Sequence, residues 1–146
     1  MIRISIASDH AGYELKSFIK NAFNVEGCLL EKDYGCHSNE SMDYPDVVHP
    51  LVKSIISGDA DMGILICGSA NGVAITANKY AEIRAALCWN EEIARLARAH
   101  NNANVLCLPA RFIQKDDALK IMEAFFSTRF EGGRHKNRVD KINCIL

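Results

Sequence analysis

The sequence predicts an α/β fold in which a five-stranded parallel sheet lies between two layers of helices and is followed by a C-terminal extension. Two observations predict it. Short apolar runs alternate along the chain with segments of helical periodicity, which is typical of parallel strands joined by crossover helices. One run, Gly63–Cys67, is continuously apolar, as expected of a strand buried on both faces. A length of 146 residues fits one domain, so residues 1–146 are predicted to form a single domain.

The first part of the chain contains two predicted strands and two predicted helices. The isoleucines of Ile2–Ala7 alternate with polar residues, as in a strand, and the apolar residues of Tyr13–Phe23 recur at helical spacing. Cys28–Asp33 is predicted to be the second strand and Pro45–Ile56 the second helix. Because an interior proline costs about 3 kcal/mol, Pro50 predicts that this second helix is kinked or starts later.

The alternation continues after the buried strand. Val73–Lys79 is predicted to be a helix, and Arg84–Trp89 and Asn104–Pro109 are predicted to be the last two strands. Apolar residues at helical spacing predict a helix at Glu91–Ala99, and a further helix is predicted at Asp116–Ser127.

The pattern changes after Phe130, where a basic extension begins. The last 36 residues carry eight basic and five acidic side chains, which fits binding of a small anion, or a solvated tail without a role. Four apolar residues are spaced for one face of a helix too short to be stable alone, so we expect the extension to dock on the body or on a partner subunit. They are Val139, Ile142, Ile145 and Leu146.

Composition excludes several classes of protein. Seventeen basic and eighteen acidic residues leave a net charge of −1, whereas nucleic-acid binders usually carry a strong basic excess. No apolar run approaches the ~18 residues of a membrane span, and the N-terminus lacks a signal sequence. Neither nucleic acid nor a membrane is therefore an expected partner, and the expected location is the cytoplasm.

The cysteines and histidines form no recognisable disulfide or metal motif. Six cysteines without a secretion signal and without a C-x-x-C pair are expected to be free thiols. The five histidines show neither H-E-x-x-H nor a paired spacing. We therefore expect chemistry without a metal or other cofactor.

The loops after the strands are the first candidates for a site, because ligands bind beyond the carboxyl ends of strands in an open parallel sheet. The loop after the first strand, Asp9-His10-Ala11-Gly12, places an acid, an imidazole and a glycine at a helix start. Asp9 alone is also explained as an N-cap. The loop after the last strand places Arg111 at the same edge of the sheet.

The loop after the buried strand is the most distinctive of the three. Gly68 and Gly72 enclose Ser69 and Asn71, and such a loop wraps its backbone N–H groups around an oxyanion at a helix N-terminus. It is neither a Walker A loop nor G-x-G-x-x-G. It is also not a phosphatase loop, because Val73 stands where that loop needs arginine.

Cys67 ends the buried strand directly before this loop. A free cysteine more often packs as a small hydrophobic residue. Beside a helix N-terminus, however, the dipole favours the thiolate by about 0.3–1 kcal/mol, and a thiolate attacks a carbon or abstracts a proton. The pattern leaves the buried thiol and both chemistries open.

Other candidates lie in later segments and before the second helix. Arg134 and Arg138 stand at i, i+4, a spacing that suits a bidentate grip on phosphate if the segment is helical, or a solvated basic turn. His100 and Asn101 end a helix, where a histidine by itself interacts with the helix dipole. Tyr44 precedes a helix start, and its hydroxyl is also suited to lining a pocket.

Six segments together resemble the ribose-5-phosphate isomerase B family, which is shared with the galactose-6-phosphate isomerase subunits. They cover nearly the whole chain in the order of the family, and this register makes the resemblance specific. The resemblance implies a Rossmann-like αβα domain that works as a dimer and interconverts phosphorylated aldoses and ketoses without metal. The segments are Asp9-His10-Ala11-Gly12, Asp43-Tyr44-Pro45, Ile66-Cys67-Gly68-Ser69 through Gly72, Ala77-Asn78-Lys79, His100 through Leu106 and Glu131-Gly132-Gly133-Arg134-His135.

The resemblance also implies a role for each candidate residue. Cys67 is the base that moves a proton between C1 and C2, and His100, with Ser69 nearby, assists opening of the furanose ring. Backbone N–H groups from Gly68 through Asn71 to Gly72 stabilise the enediolate. The other residues contact the substrate: Asp9, Tyr44 and Asn101 at sugar hydroxyls, and His10, Arg111, Arg134 and Arg138 at the phosphate.

The chain departs from the commonest family pattern at Ala70, where glycine is usual. If that position needs a positive φ, alanine costs about 1 kcal/mol or more and the loop sits slightly differently. Ser69 stands where threonine is frequent and keeps the hydroxyl.

The resemblance, together with these residues, implies a metal-independent isomerase that interconverts ribose 5-phosphate and ribulose 5-phosphate, a reaction of the pentose phosphate pathway in carbohydrate metabolism. Isomerisation of galactose 6-phosphate or allose 6-phosphate is the alternative within the family. A flavodoxin-like module that binds a nucleotide or flavin phosphate at the same edge is the alternative from another class. It would not explain Cys67 together with His100 and three arginines.

The order of the elements predicts that two chains share each site. Cys67, Asp9 and Arg111 directly follow strands, whereas His100 follows a helix and precedes a strand, which places it at the opposite edge of the sheet. A strand of five or six residues spans ~17–20 Å. If His100 acts with Cys67, it must come from a neighbouring subunit of a homodimer. The sequence does not distinguish a dimer from a tetramer.

Overall fold

Five parallel strands form the centre of the computed structural model, which describes residues 1–144. The strands are β1 (Ile2–Ser8), β2 (Cys28–Asp33), β3 (Met62–Cys67), β4 (Ala85–Leu87) and β5 (Val105–Pro109). Their order across the sheet is β2-β1-β3-β5-β4, so that β3 lies in the middle and β4 at an edge. The predicted parallel sheet is confirmed.

Six α-helices accompany the strands within residues 1–144. They are α1 (Tyr13–Ala22), α2 (Pro45–Ile56), α3 (Asn71–Ala77), α4 (Glu91–Asn101), α5 (Lys115–Ser127) and α6 (Arg134–Lys141). A short 3-10 turn, His10–Gly12, leads into α1. Within residues 1–144, no helix has both the length and the apolar character that a bilayer span requires.

Alternate residues of β3 bury their side chains in two separate cores. Ile64 and Ile66 pack with α1, α4 and α5 on one face of the sheet, whereas Leu65 and Cys67 pack with α2 and α3 on the other. Helices therefore cover both faces, which confirms the αβα sandwich. Burial on both faces is also the physical reason for the continuous apolar run in this strand.

The later start expected for the second helix is wrong. Helix α2 begins at Pro45 and continues through Pro50 to Ile56. Pro50 has no N–H to donate to the carbonyl of Asp46, but both residues lie on the exposed side of the helix, where water can reach that carbonyl. The proline therefore leaves no buried polar group without a partner.

Strand β4 is shorter than predicted. It covers Ala85–Leu87 and lies at the edge of the sheet, where it pairs with β5. The N–H of Arg84 donates to the side-chain oxygen of Asn104 (2.8 Å), and Trp89 is half exposed. The Arg84 N–H is thus bonded to a side chain, whereas the Arg84 carbonyl oxygen accepts from the backbone N–H groups of Asn104 (3.0 Å) and Val105 (3.3 Å).

The extension after α5 forms helix α6, which packs against α4. The side-chain amide of Asn143 donates to the carbonyl oxygen of Ala81 (2.8 Å) and ties the end of the described chain to the body. Ile142 is half exposed. Of the four apolar residues predicted to dock, Ile145 and Leu146 lie outside the described residues.

Candidate active site

The ends of β3 and β5 hold Cys67 and Arg111 at the same edge of the sheet. Cys67 pairs in register with the last residue of β5, Pro109. Beyond the strands, the Ala110 N–H donates to the Cys67 carbonyl oxygen (2.9 Å), and the Arg111 N–H donates to the Gly68 carbonyl oxygen (3.0 Å). A side chain at Gly68 would lie 3.2 Å from Nη1 of Arg111, so the guanidinium rests directly on this glycine.

Cys67 differs from the other cysteines in its position. All six cysteines are free thiols, as predicted. Burial raises the pKa of Cys88 to about 12 and raises the pKa of Cys107 well above its ordinary value, so these two thiols are core residues that do not react. Cys67 is also buried, but it stands at the end of its strand, where the loop to α3 begins.

The loop to α3 turns through Ala70, whose φ is 64°. The left-handed conformation costs alanine about 1–2 kcal/mol. Its methyl group, however, is fully buried in the same core as Cys67 and Val73, and such burial offsets about 0.8 kcal/mol of the cost. The backbone conformation that glycine adopts easily is therefore kept here by an alanine.

Ser69 and Asn71 form a hydrogen-bonded turn at the tip of this loop. The hydroxyl oxygen of Ser69 accepts from the backbone N–H of Asn71 (3.3 Å) and from its side-chain amide (3.1 Å). Because the oxygen accepts both bonds, the hydroxyl proton of Ser69 can be donated to another group.

Asp9 lies beside the end of β3. Its N–H donates to the carbonyl oxygen of Ile66 (3.2 Å), and its carboxylate accepts from the N–H of Gly12 (3.1 Å), which confirms the N-cap. A side chain at Gly12 would lie 2.7 Å from a methyl carbon of Ile66, so the turn can approach the strand only because the residue is glycine.

A backbone group outside the turn orients His10. The N–H of Met42, in the loop before α2, donates to Nδ1 of His10 (3.2 Å). Because Nδ1 is the acceptor, a neutral His10 carries its proton on Nε2. The imidazole therefore has a defined donor atom.

Tyr44 directly precedes α2 and lies next to the candidate site. A side chain at Gly72 would lie 2.5 Å from Cζ of Tyr44, which shows that the aromatic ring packs directly on this glycine. The tyrosine is partly exposed. Its phenol thus lies over the loop that follows Cys67.

A buried ion pair supports this edge of the sheet. Lys16, which is almost fully buried, donates to Asp33 (2.7 Å) and to the backbone carbonyl of Cys36. Asp33 also accepts from Lys20 (2.8 Å) and from the N–H of Gly35 (2.9 Å). Burial alone would raise the pKa of Asp33, but the bonds from the two lysines outweigh it and lower that pKa. The network fixes the segment that leads from β2 toward Met42.

We expect Asp33→Asn to lower the free energy of unfolding at pH 7 by about 3–5 kcal/mol, because the change leaves Lys16 buried without its counter-ion. Since the pKa of Asp33 is lowered in the folded state, its contribution is complete above the ordinary value near 4 and is lost as the pH falls through the lowered value. Urea unfolding at pH 7 and at acid pH measures both effects.

Asp61→Asn is the matched control for Asp33→Asn. Asp61 pairs with Arg3 (3.0 Å) at the surface, where an ion pair contributes about 0–1 kcal/mol. Equal losses in the two variants would show that the buried Lys16–Asp33 pair contributes no more to the free energy of unfolding than the surface pair.

A second group of candidates lies around the end of α4. The ring of His100 stacks on the ring of His135, with their centroids 4.0 Å apart. A carboxylate oxygen of Glu131 lies 3.9 Å from Nε2 of His100 and 3.5 Å from Nε2 of His135. Burial lowers the pKa of His135, and the neighbouring His100 lowers it further.

Arg134, Arg138 and Asn101 belong to this second group. Arg134 and Arg138 lie one turn apart on α6, as the i, i+4 spacing requires, and both are exposed. Asn101 is the last residue of α4 and is also exposed. The helical alternative for the basic segment is therefore confirmed.

The two groups lie at opposite edges of the sheet in one chain. The register pairs Gly63 with Val105 and Cys67 with Pro109, so β3 and β5 run side by side in the same direction. Cys67 lies at the carboxyl end of this pair of strands, and His100 precedes its amino end. Because a strand of this length spans ~17–20 Å, one chain does not bring His100 to Cys67.

The fold and the loops at the carboxyl edge place the chain in the class of Rossmann-like α/β proteins, which bind their ligands at that edge. Within this class, the chain belongs to the Ribose/Galactose Isomerase family, whose model matches residues 4–142. It is 39% identical over 145 residues to the ribose-5-phosphate isomerase B of Escherichia coli K12, with 99% of this chain and 97% of the relative covered.

Solved structures show the same relationship. A ribose 5-phosphate isomerase from Thermotoga maritima matches with a TM-score of 0.93 and 51% identity, covering 99% of each chain. The ribose-5-phosphate isomerase B of Mycoplasma genitalium, solved with bound ribulose 5-phosphate, matches with a TM-score of 0.88 and 42% identity. That match covers 96% of this chain and 93% of the relative.

Three features of the site were missed from the sequence. Lys16 occurs in an amphipathic helix, where a lysine is ordinarily exposed, and Met42 contributes only a backbone N–H. Glu131 meets His100 and His135 through a turn that contains two glycines. The i, i+4 spacing of Glu131 and His135 was the only available signal of this contact.

Proposed function

We propose that this chain is an aldose–ketose isomerase that interconverts ribose 5-phosphate and ribulose 5-phosphate through an enediolate. The observation that carries the proposal is the position of Cys67, at a strand end between Asp9, Arg111 and the glycine-containing loop, in a member of an isomerase family. The relative from Mycoplasma genitalium that was solved with ribulose 5-phosphate supports a pentose phosphate as substrate.

The thiolate of Cys67 acts as the base in this proposal. It removes the proton from C2 of the open-chain aldose, and the electron pair of the broken C–H bond forms a double bond between C1 and C2. The carbonyl oxygen at C1 then becomes an oxyanion, which backbone N–H groups of the loop from Gly68 to Gly72 stabilise. The O2 proton then moves to the O1 oxyanion, and return of the proton from Cys67 to C1 gives the ketose, with its carbonyl at C2 and a hydroxyl at C1.

His100 and Ser69 assist the opening of the sugar ring. Ring opening needs a proton donor at the ring oxygen and an acceptor for the proton of the C1 hydroxyl. An imidazole carries out either transfer near neutral pH, and the hydroxyl of Ser69 has a proton available for donation. Asp9, Tyr44 and Asn101 then hold sugar hydroxyls.

The phosphate is held by cationic groups from both edges of the sheet. His10 and Arg111 lie at the carboxyl edge, and Arg134 and Arg138 lie on α6. Charge-assisted bonds to phosphate position the reacting carbons over the base and contribute binding energy far from the chemistry.

We also propose that the protein is a homodimer in which each site takes residues from both chains. The support is the placement of Cys67 and His100 at opposite edges of one sheet, at a separation that neither side chain spans. An isologous two-fold arrangement brings the α4 end of one chain to the carboxyl edge of the other and creates two equivalent sites.

The six free thiols support a reducing compartment, and we place the reaction in the cytoplasm as part of pentose phosphate metabolism. The alternative of a nucleotide-binding module has less support. Asp33, at the carboxyl end of β2, where such proteins hold a ribose, is already bonded to Lys16 and Lys20.

A coupled assay with ribose 5-phosphate, allose 6-phosphate and galactose 6-phosphate tests the proposed function. We expect the highest kcat/KM with ribose 5-phosphate. A clear preference for a six-carbon substrate would establish the alternative within the family, and absence of turnover with all three would reject the function.

Arg134→Ala and Arg138→Ala are each expected to raise KM by about 10- to 150-fold, since each removes charge-assisted hydrogen bonds that contribute roughly 1.5–3 kcal/mol. Inorganic phosphate should inhibit the wild type and inhibit the two variants less. Lys141→Ala, another exposed cation on α6, is the control and should leave KM unchanged. Unchanged kinetics in both arginine variants would identify the helix as a solvated basic surface.

Incubation with EDTA is expected to cause no loss of activity, because the proposed proton transfer uses a thiolate and backbone donors. The assay compares kcat/KM with ribose 5-phosphate before and after incubation with the chelator. Activity that disappears with EDTA and returns with a divalent ion would contradict the metal-independent reaction.

A further inference from the structure

A cavity of about 360 Å³ lies at the amino edge of the sheet, beside the beginning of β4. Ten residues line it: five are aliphatic, three are asparagines, one is Tyr80 and one is Arg84. Among the described residues, Arg84 is the only charged one in this wall, and no acidic side chain lines it. A mostly apolar wall with a few polar groups and one charge is typical of a site for a small molecule.

The guanidinium of Arg84 is held at one edge and open at the other. Its Nε donates to the carbonyl oxygen of Asn102 (2.9 Å). Within residues 1–144, neither terminal nitrogen of Arg84 has a hydrogen-bond partner, and no polar side-chain atom is buried without one, so both terminal nitrogens are accessible. Two parallel N–H donors in this arrangement match the two oxygens of a carboxylate.

A second arginine adds positive charge near Arg84. Arg98 is buried and donates to the carbonyl oxygen of Ala103 (2.6 Å) and to the side-chain oxygen of Asn102 (2.9 Å). Burial lowers the pKa of Arg98, and the charge of Arg84 lowers it further. In the described part of the chain, neither arginine forms an ion pair. An anion bound at Arg84 would supply the negative charge that neutral carbonyl oxygens do not.

The wall of the cavity indicates which anion fits. The side-chain amide of Asn78 is bonded in both directions to the backbone of Ala85 (2.8 and 2.9 Å), and the hydroxyl of Tyr80 is bonded to Nδ1 of His49 (2.7 Å). Few polar groups therefore remain for the hydroxyls of a sugar. The volume is also far larger than the ~30 Å³ that one water molecule occupies, so a single inorganic ion would leave the apolar wall uncovered.

We infer that this cavity binds a small organic carboxylate, with the carboxylate on Arg84 and an apolar body against Ile83 and Ile142. Both isoleucines line the cavity, where Ile83 is buried and Ile142 is half exposed. The site is separate from Cys67, which lies at the opposite edge of the sheet. Binding here is independent of the proposed function, although Asn101, a proposed contact to a sugar hydroxyl, also lines the cavity.

Benzoate, a planar carboxylate on an apolar ring, is the probe, and benzamide, which has the same shape and no charge, is its control. Calorimetric titration of the 146-residue chain should show one benzoate per chain, with the roughly millimolar affinity expected of a ligand of this size. Benzamide should bind at least about tenfold more weakly, because it lacks charge-assisted bonds to Arg84.

Two variants test the cavity itself. Arg84→Gln should weaken benzoate binding by about 10- to 150-fold, whereas Arg95→Gln, at an exposed arginine of α4, should not. Because Arg84 also holds the carbonyl of Asn102, the second variant leaves it in place. Ile142→Glu puts a carboxylate at the rim and should weaken binding by about tenfold or more, whereas Ile56→Glu, at an exposed isoleucine that ends α2, is the control and should not.

Arg134→Ala distinguishes this cavity from the proposed phosphate site and should leave benzoate binding unchanged. Absence of benzoate binding, equal binding of benzamide, or unchanged affinity in Ile142→Glu would overturn the site. Loss of benzoate binding in Arg134→Ala would overturn it as well, since the probe would then occupy the proposed phosphate site. The titration measures no turnover, so a protein that binds benzoate here but never isomerises sugar phosphates would reject only the proposed function.

Discussion

Cys67→Ala is expected to lower kcat with ribose 5-phosphate by about 10²- to 10⁴-fold, the contribution of a general base. KM should change by no more than a few fold, because the thiolate acts on the reacting carbon and contributes little to binding of the ground state. Steady-state kinetics gives both constants, and binding of inorganic phosphate shows whether the anion site is intact.

Cys88→Ala is the matched control for this variant. Cys88 is also a buried thiol, but burial raises its pKa to about 12 and it lies in the other core, with α1, α4 and α5. Its loss should reduce stability and leave kcat nearly unchanged. A Cys67→Ala enzyme that keeps a tenth of the wild-type activity, with an unchanged melting temperature, would exclude this residue as the base.

Subunit exchange is expected to restore activity to a mixture of two inactive variants. In a heterodimer of Cys67→Ala and His100→Ala chains, one site carries both substitutions and the other carries both native residues. After complete exchange of equal amounts, half of the dimers are heterodimers, so activity should return to about a quarter of the wild-type value. The time course of recovery should follow the exchange of chains.

The control is a mixture of Cys67→Ala chains with Cys67→Ser chains, in which no arrangement provides an intact thiol. Exchange is measured separately with two fluorescent labels. If labels exchange completely while the first mixture stays inactive, the thiol and the imidazole belong to the same chain, or His100 has no catalytic role.

Most of the fold could be predicted because its signals are local. The apolar run Gly63–Cys67 reflects burial of β3 on both faces, and the periodicity of Tyr13–Phe23 reflects one buried face of α1. The effect of Pro50 on helix α2 could not be predicted from such a local signal. Its cost depends on whether water reaches the carbonyl of Asp46, which is a property of the folded surface rather than of the neighbouring residues.

The site could be predicted only in part. Residues that directly follow strands, such as Cys67 and Arg111, can be placed from topology alone, since parallel strands bring their carboxyl ends to one edge. The buried Lys16 could not, because its partner Asp33 is 17 positions away and the pairing depends on the turn between α1 and β2. The contact of Glu131 with His100 likewise depends on two glycine conformations.

Because the candidate residues are divided between the two edges of the sheet, the proposed activity depends on protein concentration. If neither chain holds a complete site, specific activity must fall on dilution as dimers dissociate, and reassembly must follow second-order kinetics. A substrate that bridges Arg111 of one chain and the cations of α6 of the other binds only the assembled form, so it shifts the association equilibrium toward the dimer. Bound substrate would thus hold the two chains together reversibly and maintain the active dimer at low protein concentration.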